Sequence, residues 1–183
     1  TYGLMLVGGI NSQLRKPNGM WVNKGMDWNS AQSGTQPEGL GMSSTLDPDR
    51  QMIWLFGGLD MSGASLGTMW SYDGSKWVRQ QLKPSPLARA NACLSYDGLR
   101  KVVLLFGGES PTSRFPQPMN DTWLWDGQQW AQNSPSTQPS PRSEASMVYD
   151  AAHGYVVLFG GLAGGGYLED TWIWDGSNWR QAQ

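Results

Sequence analysis

Short apolar runs of three or four residues, each closed by a Gly-Gly pair, recur four times along the chain. They are Leu4–Val7 before Gly8-Gly9, Ile53–Phe56 before Gly57-Gly58, Val103–Phe106 before Gly107-Gly108, and Val157–Phe159 before Gly160-Gly161. The first glycines lie 49, 50 and 53 residues apart. A second landmark keeps step: Trp70-Ser71-Tyr72-Asp73-Gly74-Ser75-Lys76-Trp77 matches Trp123–Trp130 and Trp172–Trp179, with a degraded copy at Trp21–Trp28 that has Lys24-Gly25 in place of Asp-Gly. A third precedes the Gly-Gly run in three copies: Ser43–Asp47, Ala92–Asp97 and Ala145–Asp150. Runs this short, rich in aromatic and β-branched residues and bounded by turn formers, predict strands. Each repeat therefore reads as four strands: A ending in Tyr-Asp, B ending in Gly-Gly, C containing Trp-x-Trp, and D beginning at the later Trp. Asp-Gly between C and D predicts a short hairpin with a type I′ turn. The Gly-Gly after B predicts a backbone that twists or is closely approached.

A four-stranded antiparallel unit repeating about every 50 residues is the blade of a β-propeller. The pattern Leu-Phe-Gly-Gly, then Asp-Thr-Trp-x-Trp-Asp-Gly-x-x-Trp, resembles the kelch repeat over essentially the whole chain. The expected fold is all-β, with 3.75 kelch-type blades in one partial propeller: blade one at 1–33 lacking strand A, blade two at 39–81, blade three at 89–133 and blade four at 142–183. The kelch resemblance implies that strand A is innermost, lining a central channel, and D outermost. Thr1-Tyr2-Gly3 leaves no room for strand A of the first repeat. The expected partners are a second copy of the chain, forming a homodimer that completes a propeller, or the remainder of a longer propeller.

Composition narrows the function classes. The formal charge is −2 with 15% charged residues, so there is no basic footprint for nucleic acid, and no run is apolar enough to predict a membrane-spanning helix. One cysteine, Cys93, excludes an internal disulfide, and one histidine, His153, offers neither a triad base with partners nor a metal set with Cys93 sixty residues away. The resemblance extends to copper-containing sugar oxidases, whose metal ligands have no counterpart here. No metal, cofactor or catalytic residue is expected. Sparse charge with abundant Trp, Gly and Ser points to a secreted or cell-surface bacterial protein.

Antiparallel strand order places the long B–C and D–A segments on one face and the short A–B and C–D turns on the other. Long loops on a rigid scaffold are where recognition resides, so the long-loop face is the expected site. Arg89 and Arg142 open strand A in blades three and four, where blade two has Gly39. They are read as guanidiniums at the channel mouth able to fork onto a carboxylate or sulfate, with Glu144 beside them. Their competing role is packing within the blade, which recurrence in the repeat favours. Glu109, Arg114 and Phe115 lie in the longest B–C loop and break the repeat, which suits specificity. The recurring tryptophans read as inter-blade packing. The expected function is a non-enzymatic binding or scaffold module for a protein segment or glycan; the alternative is a kelch-type isomerase or lyase of acidic sugars using Arg89, Arg142 and Glu144.

Overall fold

Three complete four-stranded antiparallel sheets and one three-stranded sheet follow each other along the chain in a computed structural model, which describes residues 5–7, 20–24, 27–31, 35–81, 84–110 and 117–182. Blade one holds β1 (Met5–Val7), β2 (Met20–Lys24) and β3 (Asp27–Ala31). Blade two is β4 (Ser43–Asp47), β5 (Met52–Phe56), β6 (Met69–Tyr72) and β7 (Trp77–Gln80), in that spatial order. In blade three, β8 (Cys93–Asp97) and β9 (Val102–Phe106) are followed by a ribbon of β10 (Glu109–Ser110) and β11 (Gln117–Pro118), then β12 (Thr122–Trp125) and β13 (Trp130–Asn133). Blade four repeats this plan: β14 (Ser146–Asp150), β15 (Tyr155–Phe159), the ribbon β16 (Leu162–Ala163) and β17 (Gly166–Tyr167), then β18 (Thr171–Trp174) and β19 (Trp179–Gln181). Among the described residues there is no helix. The inner strands β4, β8 and β14 adjoin one another, as strand A of a propeller should.

Strand alternation explains why both faces of a blade are apolar. In β9, Val103 and Leu105 turn toward blade two, while Leu104 and Phe106 turn toward blade four. The interface between blades two and three buries Trp54, Phe56 and Met69 against Leu94, Tyr96, Trp123, Trp125 and Trp130. The next interface sets Leu104 and Phe106 against Val156, Leu158, Trp174 and Trp179. Phe56 meets Trp130 and Phe106 meets Trp179 edge to face, with ring centroids 5.7 and 5.1 Å apart. Met20 alone carries blade one's described contact, against Leu55, Trp70, Tyr72 and Trp77. Each such large side chain contributes about 1.5–3 kcal/mol by leaving water, so stacking dominates the stability of the array. The tryptophans thus pack between blades, as their register predicts.

The turns depart from expectation in one respect. The C–D connections are four-residue loops rather than two-residue type I′ hairpins: Tyr72 pairs with Trp77, and in Asp73–Lys76 only Gly74 has positive φ, at 93°. The reason is the aspartate. Oδ1 of Asp73 accepts the N–H groups of Ser75 and Lys76 at 2.8 and 2.9 Å, an Asx turn that holds Asp73 itself at negative φ. Asp126 and Asp175 do the same. The type I′ geometry appears instead at Gly164 and Gly165, both at positive φ, closing the β16–β17 ribbon.

The Gly-Gly pairs stitch neighbouring blades. At Gly107 (φ 64°) a Cβ would lie 2.5 Å from the Arg142 carbonyl, and the Gly108 N–H donates to that same carbonyl at 2.9 Å. On the opposite face, Arg50 and Arg100 pin each blade to the next. Nη1 of Arg50 donates to Asp47 (2.8 Å) and to the Lys101 carbonyl (3.2 Å), and Nη2 donates to the Asp126 carbonyl (2.5 Å). Arg100 likewise holds Asp97, the Gly154 carbonyl and the Asp175 carbonyl.

Candidate functional site

The long-loop face is built outward from the starts of the inner strands. Leu40 bridges to Leu59, Ala90 to Glu109 and Ser143 to Leu162, so each inner strand is tied to the residue that follows its own blade's Gly-Gly. A second backbone row runs around the mouth from blade to blade: Asn91 N–H to the Gly41 carbonyl and Glu144 N–H to the Asn91 carbonyl, both 2.9 Å. These links require left-handed backbone at three equivalent positions, Gly41 (φ 61°), Asn91 (φ 54°) and Glu144 (φ 57°). Glycine and asparagine adopt that conformation readily; glutamate there is uncommon and costs on the order of 1 kcal/mol.

Arg89 and Arg142 do not face a ligand at this mouth. They are 0% and 1% exposed. Arg89 forks onto Asp121 at 2.6 and 2.8 Å, and also donates to the carbonyls of Gly107 and Leu87. Arg142 forks onto Asp170 at 2.6 and 2.9 Å and donates to the Gly160 carbonyl, the Ser140 carbonyl and the Ser140 Oγ, which uses all five guanidinium donors. Each aspartate also accepts an indole N–H at 2.6 Å, from Trp123 and Trp172 respectively. Burial works against the charge of Asp121, but the Arg89 guanidinium and the Trp123 indole more than offset it and hold its carboxyl below the usual range. The hydrogen bond from Arg142 does the same for Asp170. The ligand-facing assignment of the two arginines is therefore corrected to an architectural one: they lock the B–C segment of their own blade onto its inner strand. Their partners are Asp121 and Asp170. In blade two both members are replaced together, by Gly39 and Thr68, with Leu66 and Met42 packed around Gly39.

What the mouth presents instead is a carboxylate held between blades. Glu109 accepts from Asn91 Nδ2 at 3.0 Å and from Ser143 Oγ at 3.3 Å, spanning blades three and four, and it remains partly exposed. Glu144 is exposed, next in sequence to Ser143 and hydrogen-bonded through its N–H to Asn91. Asp60 and Glu169 add charge of the same sign from the B–C segments, and Tyr167 stands 88% exposed on the ribbon, paired with the Leu162 that bridges to Ser143. Arg114 and Phe115 lie outside the described residues. Asn91 and Ser143, which sequence reasoning passed over, were findable only by their closeness in sequence to the repeat's arginines, two residues and one residue on.

Away from this face, His153 pairs with Asp150 at 2.8 Å and stacks on Tyr155 at the blade-four edge. The Cys93 thiol donates to the Ala145 carbonyl at 3.0 Å, and burial pushes its pKa up to about 12, so it is no thiolate nucleophile at neutral pH. Among the described residues no three His, Cys, Asp or Glu side chains converge on one point.

Blades stacked through Trp-rich faces, with inner strands adjoining and the described long segments on one side, define the β-propeller class of all-β folds. A solved structure of a protein named YjhT shares this architecture: it is 15% identical, with a TM-score of 0.75 over 93% of this chain. This chain spans about half the length of that one, 54%. No known family model matches the sequence, and no curated protein sequence matches it either.

Proposed function

We propose that the chain is a segment of a kelch-type propeller that acts as a non-enzymatic recognition module, taking a basic protein segment on its long-loop face. The observation that carries this reading is the Glu109 carboxylate, fixed by Asn91 and Ser143 across two blades and still open to solvent, with exposed Glu144 beside it. A pre-positioned carboxylate at Glu109, with exposed Glu144 on the same face, favours a ligand that brings Lys or Arg, whose donors form charge-assisted bonds with little reorganisation of Glu109. The alternative, turnover of an acidic sugar, requires accessible anion-binding groups. Arg89 and Arg142 were its candidates, and their donors are spent inside the blades.

Fluorescence anisotropy with a labelled Arg-Ser peptide, a Glu-Ser counterpart and a neutral oligosaccharide tests the reading. The Arg-Ser peptide should bind with an affinity that falls as salt rises, and Glu109→Gln with Glu144→Gln should weaken it by about tenfold or more. Preference for the acidic peptide, or oligosaccharide binding indifferent to both substitutions, would overturn it.

A further inference from the structure

Blade four is covered on one side only. In blades two and three, the side turned to the following blade carries a repeated set of groups. Phe56 and Phe106 close the B strands at 1% and 0% exposure. Ser43 Oγ and Cys93 Sγ donate to the carbonyls of Ala92 and Ala145 on the next inner strand, at 2.5 and 3.0 Å. The N–H groups of Gly58 and Gly108 donate to the carbonyls of Arg89 and Arg142, both at 2.9 Å. Thr122 Oγ1 accepts the indole N–H of Trp179 at 3.1 Å. Blade four carries the same set in Phe159, Ser146, Gly161 and Thr171, with no further blade among the described residues to meet it. Phe159 is 53% exposed and Val148 on the inner strand 64%.

Blade one shows the complementary face. Trp21 holds the repeat position of Trp70 and Trp123, on the side each blade turns to the one before it, and it is 41% exposed where those two are 9%. Met20, its neighbour in β2, points the other way, into blade two. Trp28 holds the sequence position of Trp130 and Trp179, the rings that meet Phe56 and Phe106.

We propose that this chain associates with a second copy of itself, the open side of blade four docking on the Trp21 side of blade one in two equivalent contacts. The two internal interfaces say what covers such a side: a Trp-faced blade, and this chain exposes one. The strand positions of the open side carry Ser146, Val148, Tyr155, Val157, Phe159, Thr171 and Ile173, which suits an aromatic counterpart, and the same face also carries Asp150 opposite Tyr155 and Arg180 opposite Ile173. One pin is missing: His153 stands where Arg50 and Arg100 reach into the next blade, and it is turned onto Asp150. The contact is accordingly weaker than the internal ones and concentration-dependent.

Sedimentation equilibrium of the 183-residue chain across micromolar concentrations should show a species near twice 20.2 kDa. Phe159→Lys and Trp21→Lys should each raise the dissociation constant by about tenfold or more, with near-UV circular dichroism unchanged because both side chains are already solvent-facing. Mixing the two variants should recover part of the dimer, since one of its two contacts is then intact on both sides. A wild-type chain that stays monomeric overturns the proposal. So does a dimer indifferent to Trp21→Lys, which would mean that two blade-four faces meet each other.

Discussion

The Arg–Asp–Trp sets of blades three and four show how a repeated charge can be structural. Each guanidinium is buried, forked onto a carboxylate and bonded to two backbone carbonyls, and a buried ion of this kind is tolerable only while its partners stay in place. Replacing Asp170 with Thr strands the Arg142 cation and should cost about 3–5 kcal/mol in urea unfolding. Arg142→Met should cost about 3 kcal/mol, at the low end because Asp170 retains contact with water. Made together, the substitutions should cost less than their sum by about 1–3 kcal/mol, since blade two dispenses with both members at Gly39 and Thr68. Additivity would show that the pair is not a unit. Acid should probe the same sites. The folded-state pKa values of Asp121 and Asp170 are depressed, so between them and the unfolded value of about 4 the unfolded chain binds more protons. Stability from these groups is complete above that unfolded value and lost as pH falls through the folded ones. The double variant should flatten the blade-four share of that decline. Much of this was legible in the chain. Arg and Asp-Thr-Trp occur together in blades three and four and vanish together in blade two. What the letters do not show is that the guanidinium turns inward, because that depends on the Gly107 and Gly160 carbonyls released by the positive-φ glycines.

Strands were the most readable elements, since short apolar runs between turn formers leave little choice of structure. The turn type was not readable: Asp-Gly serves a type I′ hairpin and an Asx loop equally well, and only the carboxylate's capture of two N–H groups decides between them. The inter-blade contacts follow from the repeat register once two neighbouring blades are compared. Trp179 finds Thr122 as acceptor, whereas Trp130 and Trp77 occupy the same position and their buried indole N–H groups have no partner. The repeat position of Thr122 is held in the preceding blades by Met69 and Met20, which offer no comparable acceptor. Thr122→Val keeps the shape and removes the oxygen, so it should destabilise the fold by about 1–3 kcal/mol, measured by chemical unfolding. A neutral result would show that the Trp179 bond contributes nothing. The pins of the short-turn face allow a paired comparison: Arg100→Ala should lower the melting temperature more than His153→Ala, because Arg100 reaches two carbonyls of blade four while His153 is engaged with its own turn.

At the scale of the molecule, the functional reading rests on which face of the array of blades meets a ligand. The sequence placed the long segments on one face correctly, because strand alternation dictates it, and it included Glu109 and Glu144 among the site residues. Two of its arginine candidates, Arg89 and Arg142, are buried and paired inside the blades, which leaves Glu109 and Glu144 as the accessible charges among its described candidates. Exposed charge at a mouth is what remains after internal pairing, and pairing is a property of three-dimensional contacts rather than of residue type. The central claim is that a basic segment binds the long-loop face beside Glu109. A benzophenone side chain at position 167, on the ribbon next to that site, should crosslink the Arg-Ser peptide on irradiation, and the same group at exposed position 76, in a short turn on the opposite face, should not. Equal labelling from both positions, or labelling from position 76 alone, would contradict the account.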